Sequence, residues 1–189
     1  MKTVAIFGSA RPAATTELYY DTVQASRLLA ENGWTIATGG GPGLMEAANT
    51  GAKIGCEGNT CSLGYSIYLP FEAETNAAVQ LDSHHRNFFT RLQQFTDDCD
   101  AFIALPGGVG TQLEILTVVQ LLQVKHMKNK PLILVGSMWH DIMSYTMNRM
   151  WRDRFISDDE QSFWYNAMTP MQASEKLIHM DENNISTYY

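Results

Sequence analysis

Short apolar runs alternate with longer amphipathic segments along the whole chain. The apolar runs predict five strands, at Val4–Phe7, Trp34–Thr38, Cys61–Leu69, Ala101–Leu105 and Pro131–Val135. The longer segments carry apolar residues at helical spacing. They predict helices over Leu18–Glu31, Pro42–Lys53, Asn87–Asp98, Thr111–Lys125, Trp139–Trp151 and Met171–Met180.

The arrangement of these elements predicts the fold class. Strands that are apolar throughout are typical of parallel sheets whose two faces are both covered. Their regular alternation with helices indicates an α/β fold, a doubly wound (Rossmann-like) parallel sheet with helices on both faces. No repeat, low-complexity tract or linker interrupts the pattern, so we expect a single domain over residues 1–189. In such sheets, ligands bind beyond the carboxyl ends of the strands.

The composition narrows the range of partners. The net charge of −7 argues against nucleic acid and anionic membranes as partners. An anionic ligand would therefore need oriented backbone N–H groups and a few placed cations. No apolar run reaches transmembrane length, and the apolar start is too short for a secretory signal. These features predict a soluble, cytoplasmic protein.

Cysteine and histidine residues give no sign of a metal centre. Cys56, Cys61 and Cys99 form an odd set without a C-x-x-C pair. This disfavours both a zinc ribbon and a disulfide framework, and makes a reducing compartment the default. His84 and His85 are adjacent, so their side chains would diverge on a helix or a strand, and we expect them in a solvated turn. The prediction is that no metal is bound.

Two glycine-rich loops carry the strongest chemical signal. Gly39–Gly43 joins a strand to a helix, and Pro106–Thr111 has the same context. Glycine lets the backbone approach a ligand closely, and a helix start offers unpaired N–H groups with a partial positive charge. Each loop alone is equally compatible with a tight turn that binds nothing. Two of them at one sheet edge favour an anionic ligand such as a phosphate.

Neither loop fits the common nucleotide fingerprints. The P-loop pattern G-x-x-x-x-G-K-[ST] is missing from both, which disfavours an ATPase. Neither loop reads G-x-G-x-x-G with an acidic residue about twenty positions on, which disfavours a dinucleotide enzyme.

Two charged residues near the loops are candidates for catalysis. Glu114 follows Thr111 at the Thr-x-x-Glu spacing of a helix capping box, and from spacing alone the cap is favoured. The alternative is a carboxylate beside the ligand, stabilising the cationic state that forms when a glycosidic bond breaks. Arg91 borders the apolar stripe of its helix, so it either reaches into a cleft or snorkels at the surface. Arg86 would point almost the opposite way.

The glycine loops belong to longer motifs. Residues 39–49 read GGGPGLMEAAN, and residues 106–114 read PGGVGTQLE. They resemble the GGGPG(I/L)MEAAN and PGGxGTxxE segments of the Lonely guy (LOG) family, long labelled "possible lysine decarboxylase". Residues 7–11 (FGSAR), 69–72 (LPFE) and 88–91 (FFTR) are similar to further segments of that family. The resemblance covers most of the chain.

The resemblance implies a phosphoribohydrolase, which converts a nucleoside 5′-monophosphate and water into free base and ribose 5-phosphate. It implies catalytic roles for Arg91 and Glu114, no metal or organic cofactor, and a homodimer with its sites near the interface. The sequence departs from the family pattern at Leu92, where a lysine is usual, and at Gln112-Leu113. The residues expected to bind the substrate or its phosphate are Gly8, Ser9, Gly39, Gly40, Gly41, Pro42, Gly43, Met45, Glu46, Glu72, Pro106, Gly107, Gly108, Val109, Gly110 and Thr111.

Two other functions stand beside this one. The first is a non-catalytic nucleotide or molybdenum-cofactor carrier of the same fold, and Leu92 favours it. The second is lysine decarboxylation, which needs pyridoxal phosphate held on a lysine. Lys125, Lys128 and Lys130 cluster at a helix end and loop, where solvation and the helix dipole account for them. We therefore expect a hydrolase and discount the decarboxylase.

Overall fold

A computed structural model describes residues 2–68, 74–127 and 130–183. Within them, the chain forms seven strands: β1 (Lys2–Phe7), β2 (Trp34–Thr38), β3 (Ser62–Ile67), β4 (Leu81–His85), β5 (Ala101–Ala104), β6 (Leu132–Val135) and β7 (Tyr165–Ala167). All neighbouring strands are parallel, in the order β4-β3-β2-β1-β5-β6-β7. The predicted α/β, doubly wound parallel sheet is confirmed.

In the described residues, a helix follows every strand except β3. The helices are α1 (Glu17–Glu31), α2 (Leu44–Gly55), α3 (Phe88–Asp98), α4 (Val109–Gln123), α5 (Ser137–Arg152) and α6 (Pro170–Glu182), with a short 3₁₀ helix at Asp158–Glu160. Among the helices described, none combines the length and the apolar character that crossing a membrane requires.

Two apolar cores lie on opposite faces of the sheet, because successive strand residues point to opposite sides. In β1, Val4 and Ile6 pack with α1, α2 and α6. Ala5 and Phe7 pack on the other face with α3, α4 and α5. Phe7 meets the ring of Phe95 edge-on, with 5.1 Å between the centroids. Three helices therefore cover each face, as the apolar strands predicted.

Strands β4 and β7 were not predicted. The segment leading to α3 was expected to be a polar connection, with His84 and His85 in a solvated turn; both residues lie in β4. That expectation is wrong because β4 is an edge strand whose pattern is polar, so it lacks the apolar run of a central parallel strand. β7 has only three residues, too few to show a period.

Two helices begin at other residues than predicted. Helix α2 was expected from Pro42 but begins at Leu44, because Gly43 adopts a positive φ of 68° that is not helical. Helix α4 was expected from Thr111 but begins at Val109, with Gly108 as its N-cap. Both changes alter the backbone groups that the glycine loops present.

A disulfide joins Cys56 and Cys61, which corrects the expectation that the cysteines stay unpaired. The four residues between them turn back sharply, since Glu57 and Gly58 both have positive φ angles. This brings the two Cα atoms within 6.3 Å, which is within the usual range for a disulfide. The bond links the end of α2 to the start of β3, and Cys99 is free and buried.

Candidate functional site

The turn after β1 ties the two glycine loops together. The Ser9 N–H donates to the Pro106 carbonyl oxygen at 3.1 Å, and the Ser9 carbonyl accepts from the Leu44 N–H at 2.9 Å. Gly8 is packed so closely that an added Cβ would lie 3.0 Å from Leu44 and 3.3 Å from Leu105. Because β1 lies between β2 and β5, both loops meet at one edge of the sheet, as predicted.

The first glycine loop is held in place by asparagine side chains. Gly40 has a φ of +74°, and its N–H donates to Thr38 Oγ1 at 3.0 Å. The Asn76 side-chain amide donates to the carbonyl oxygens of Gly40 and Gly41, at 3.1 and 3.0 Å. Asn76 also donates to Asn49, whose side chain accepts from Thr38 at 2.6 Å. These bonds fix the path of the loop before any ligand binds.

The second loop leads directly into the start of α4. No side chain caps this helix, whose N-cap is Gly108. The N–H groups of the first helical turn have no partner within a helix, so Val109, Gly110 and Thr111 can offer theirs to a ligand. Gly108 and the two residues after it are exposed, whereas the Thr111 side chain is buried against Gly107. This geometry suits a compact anion.

The capping box proposed for Thr111 and Glu114 is not formed. Thr111 lies in the third position of α4 and Glu114 one turn further on, because the helix begins at Val109. Glu114 is therefore not at the helix start and does not satisfy its N–H groups. The interpretation favoured from local spacing is wrong, and the carboxylate is available for another role.

Glu114 instead forms a buried ion pair with Arg91. The Arg91 Nη2 atom lies 3.1 Å from Glu114 Oε1, and the two residues are 9% and 8% exposed. Arg91 lies in the first turn of α3, and its guanidinium carbon lies 5.2 Å from the centroid of the Phe88 ring. Arg91 does not snorkel at the surface, and Arg86 is exposed. Of the two alternatives for Arg91, a surface position is therefore excluded, and the structure supports the one in which the side chain reaches into a cleft.

Burial changes the acidity of Glu114. Desolvation raises the pKa of its carboxyl group to about 7, and the neighbouring Arg91 cation opposes part of that rise. A carboxyl group with a pKa near 7 can both accept and release a proton at neutral pH, as a general acid or base must.

The ion pair lies against the first glycine loop. A methyl group placed on Gly39 would lie 3.4 Å from Arg91 Nη1 and 3.0 Å from Met45 Sδ. The Arg91 Nε atom is buried and has no hydrogen-bond partner among the described residues. Buried N–H groups are rarely left unpaired. An acceptor on a bound ligand would satisfy it.

A cavity of about 360 Å³ continues from the first glycine loop over the ends of β3 and β4. Gly39, Gly40 and Gly41 form one wall of it. The other lining residues are Ser66, Ile67, Tyr68, Glu74, Thr75, Asp82 and His84. Its size falls within the range of small-molecule sites. It therefore extends the site away from the second loop.

Some of the residues predicted to bind the substrate are not found at this site. Glu46 lies on the first turn of α2, near Tyr19 of α1, whose pKa is raised by burial and, to a lesser extent, by the charge of Glu46. Pro42 is exposed before the helix. Glu72 lies outside the described residues.

Sequence reasoning missed Asn76, which holds the first glycine loop, and the cavity residues Ser66, Asp82 and His84. Asn76 belongs to no recognised motif. Asp82 and His84 are two residues apart, and this period-two spacing was the available signal that both point to one face of a strand.

A comparison with protein families decides the relationship. The family described as "Possible lysine decarboxylase" matches residues 45–177, which is more than half of the chain. The chain belongs to this family. It is the family of the LOG proteins, as two relatives also indicate.

The two relatives carry hydrolase names. A protein of Oryza sativa subsp. japonica, named "Probable cytokinin riboside 5′-monophosphate phosphoribohydrolase", is 29% identical over 184 residues, 95% of this chain and 71% of the relative. A Mycobacterium tuberculosis protein, named "Cytokinin riboside 5′-monophosphate phosphoribohydrolase", is 33% identical over 113 residues, 60% of this chain and 59% of the relative. At the level of the LOG family, these names support a hydrolase role.

A solved structure shares the fold of this chain. The molybdenum cofactor binding protein from Rippkaea orientalis superposes with a TM-score of 0.67 at 22% identity, over 95% of this chain and 97% of that chain. At this identity the likeness establishes the fold alone.

Proposed function

We propose that this LOG-family chain hydrolyses the N-glycosidic bond of nucleoside 5′-monophosphates, AMP-like or cytokinin riboside monophosphates among them. The observation that carries the proposal is the buried Arg91–Glu114 pair, which lies against the first glycine loop. Cleavage of a glycosidic bond passes through a cationic, oxocarbenium-like state that a nearby carboxylate stabilises. Glu114 supplies that carboxylate in an environment where its charge is poorly solvated and therefore acts strongly.

The 5′-phosphate belongs at the start of α4. There the uncapped N–H groups of Val109–Thr111 and the positive end of the helix dipole favour an anion. The turn at Gly8-Ser9 holds this loop beside Gly39–Gly43, so the sugar would lie between them. No metal or organic cofactor is needed for this chemistry.

Glu114 can manage the proton in this reaction. As the bond between the base nitrogen and C1′ breaks, a water oxygen bonds to C1′ and releases a proton to the ionised Glu114 carboxylate. The protonated carboxyl group can then return that proton to the leaving base, so no proton is gained or lost. A pKa of about 7 suits both steps at neutral pH.

Arg91 has two tasks in this scheme. It holds Glu114 by an ion pair, and it offers the leaving base a charged hydrogen-bond donor through its unpaired Nε–H. Hydrogen bonds to charged groups are about twice as strong as neutral ones. An arginine stays protonated at any working pH, so it polarises the base rather than giving up its own proton.

Neither Lys130 nor Lys176 fits the family label of a lysine decarboxylase. A pyridoxal enzyme needs a lysine aimed at its cofactor. Lys130 instead donates to the Thr96 carbonyl oxygen at 2.8 Å, at the end of α3. Lys176 donates to the Asn166 carbonyl oxygen at 3.0 Å, beyond the opposite side of the sheet.

Base release tests the site assignment. The purified protein is incubated with AMP, GMP, CMP and isopentenyl-AMP, and the free base is measured by chromatography. Glu114→Gln and Arg91→Ala should each lower the rate at least about a hundredfold, because each removes a charge that acts in the transition state. The matched controls Glu175→Gln and Arg86→Ala change exposed residues of the same types and should keep the wild-type rate. Wild-type rates in Glu114→Gln and Arg91→Ala would refute the assignment.

A homodimer is part of the proposal. Helix α4 exposes Val109, Leu113 and Leu116 at helical spacing, on the side away from the buried Glu114, and its C-cap residue Val124 is exposed as well. A second copy that covers this stripe would bring an interface next to the phosphate loop, since Val109 belongs to both. Exposed apolar stripes of this kind mark interaction surfaces.

A nucleotide or molybdenum-cofactor carrier of the same fold is the second candidate. The observation that favours it is Leu92, which is buried next to Arg91 at the position where the family usually has a lysine. Without the lysine cation at this position, the substrate is bound less tightly, but the cavity itself is unchanged. Tight nucleotide binding with no base release from any of the four nucleotides would support the carrier and exclude the hydrolase.

A further inference from the structure

The cavity beside the first glycine loop contains a polar network that the proposed chemistry does not use. Ser66 Oγ lies 2.8 Å from Asp82 Oδ2 and 2.9 Å from His84 Nδ1. Ser66 is buried, whereas Asp82 and His84 are exposed in the cavity. The serine thus connects the two titratable side chains and fixes one oxygen of the carboxylate.

Strand β4 presents this network on one face only. Its side chains alternate, so Asp82 and His84 face the cavity while Ser83 and His85 both contact Gln94 of α3. Gln94 also donates to Asp98 at 3.0 Å. The strand is therefore anchored to α3 from behind, and the cavity side of β4 is free to meet a ligand.

The cavity is continuous with the catalytic pair. A methyl group on Gly40 would lie 3.6 Å from the Cβ atom of Ser66, and one on the neighbouring Gly39 would lie 3.4 Å from Arg91. From β5, which carries the phosphate loop, three strand steps lead to β3. At about 4.8 Å per step these steps span roughly 14 Å, the scale of an extended nucleoside monophosphate.

The charge of the cavity decides which end of a nucleotide it accepts. The carboxylates of Glu74 and Asp82 line it and repel a phosphate. The Tyr68 ring, edge-on to His84 with 6.4 Å between the centroids, offers an aromatic wall for a flat ring. The cavity therefore suits a base, while the phosphate lies at α4.

We propose that this cavity recognises the base and that Asp82, positioned by Ser66, accepts hydrogen bonds from a 2-amino-4-oxopyrimidine edge. That edge places a ring N–H next to an amino group, and it is shared by guanine and pterins. An ionised carboxylate has two oxygens and only accepts, so it pairs with two adjacent donors at once. Adenine presents its amino group beside a ring acceptor and can give Asp82 a single bond.

The inference rests on the proposed nucleotide site but is tested by binding rather than turnover. Dissociation constants for GMP, IMP, AMP and ribose 5-phosphate are measured by calorimetry in the Glu114→Gln background, which prevents consumption of the ligand. IMP differs from GMP only by lacking the 2-amino group. GMP should bind at least about tenfold more tightly than IMP or AMP, as expected for a charged pair of hydrogen bonds.

Substitutions of Asp82 and Ser66 test whether Asp82 contacts the base of GMP. Adding Asp82→Asn should raise the dissociation constant of GMP at least about tenfold. The dissociation constant of ribose 5-phosphate should change by less than about twofold, because this ligand has no base. Ser66→Ala should weaken GMP less, since it only orients Asp82. Ser83→Ala, on the opposite face of β4, is the matched control and should leave all four constants unchanged. Equal losses for every ligand in Asp82→Asn, or no loss at all, would overturn the inference.

Two further measurements distinguish a pterin from guanine as the ligand, and a failure of this inference from a failure of the hydrolase proposal. Pterin and guanosine, neither of which carries a phosphate, are titrated into the same variants. Tighter binding of pterin, lost in Asp82→Asn, assigns the cavity to a pterin, and the reverse order assigns it to guanine. If the wild-type protein releases no base, the hydrolase proposal fails. The preference of GMP over IMP, and its loss in Asp82→Asn, still decides the base subsite.

Discussion

The proposed hydrolysis depends on two residues above all, Arg91 and Glu114, which form a buried ion pair. Its partners lie 23 positions apart in the sequence, on α3 and α4, and only the packing of these helices brings them together. Local spacing favoured a helix cap for Glu114, since Thr-x-x-Glu is a capping pattern. Family resemblance named both residues as catalytic candidates, but their contact and burial could be learned only from the fold.

Turnover should depend on pH through Glu114. Its carboxylate must be ionised to accept a proton from water, and burial raises its pKa to about 7. The kcat/KM value for a nucleoside monophosphate should therefore rise about tenfold per pH unit well below pH 7 and level off above it. A steady-state profile from pH 5 to pH 9 measures this, with Arg86→Ala as the control protein. A flat acid limb between pH 5 and pH 7 would exclude Glu114 as the base.

Folding stability should carry the opposite pH dependence. The pKa of Glu114 rises from 4.5 to about 7 on folding, so the folded state binds this proton more tightly than the unfolded state does. The resulting stability is fully present below about pH 4.5 and is lost as pH rises through about 7. The free energy of unfolding of the wild type should therefore fall relative to Glu114→Gln over this range. Urea unfolding of both proteins at pH 4.5 and pH 8 checks it; an unchanged difference would contradict the buried, shifted carboxyl group.

At the level of secondary-structure elements, the two glycine loops were predictable from sequence, whereas the edge strand β4 was not. A run of glycines between an apolar strand and a helix is a local signal, and both loops lie at the predicted sheet edge. Strand β4 escaped prediction because it pairs on one side only and packs through polar side chains. Its contribution to the cavity therefore had no apolar pattern to reveal it. The start of α4 was misplaced by two residues, which was enough to give Thr111 and Glu114 the wrong role.

The first glycine loop should depend on Asn76. Its side chain donates to Gly40, Gly41 and Asn49, so Asn76→Ala leaves two loop carbonyl groups and one amide oxygen without this donor. We expect a loss of about 1–3 kcal/mol in the free energy of unfolding and weaker binding of ribose 5-phosphate. Chemical denaturation and calorimetry measure the two effects. Asn183→Ala, at the exposed end of α6, is the control; a loss no larger than that of the control would show that Asn76 does not hold the loop.

At the scale of the whole molecule, the apolar stripe on α4 should set the assembly. Leu116 is 42% exposed next to Leu113, which is costly for an isolated chain but expected at an interface. The protein should sediment at twice its 21.2 kDa mass, and Leu116→Glu should shift it toward the single chain. Ile54→Glu is the matched control, since Ile54 is 53% exposed on α2, which packs on the other face of the sheet. A wild-type monomer, or a dimer that Leu116→Glu leaves intact, would contradict the proposed interface.

The fold class was accessible from sequence because β1, β2, β5 and β6 are largely apolar and each is followed by a helix. The coverage of both sheet faces by helices follows from that pattern. The Cys56–Cys61 disulfide could not be predicted from sequence, because an odd number of cysteines indicates no pairing. The turn that brings the two residues together depends on the positive φ angles of Glu57 and Gly58.

Product analysis tests the central claim most directly. Wild-type protein and Glu114→Gln are incubated with AMP and with GMP, and free base, ribose 5-phosphate and inorganic phosphate are quantified together. The account predicts equal amounts of base and ribose 5-phosphate from at least one nucleotide with the wild type, no inorganic phosphate, and a loss of at least about a hundredfold in Glu114→Gln. Release of inorganic phosphate without base, or undiminished base release by Glu114→Gln, would contradict it.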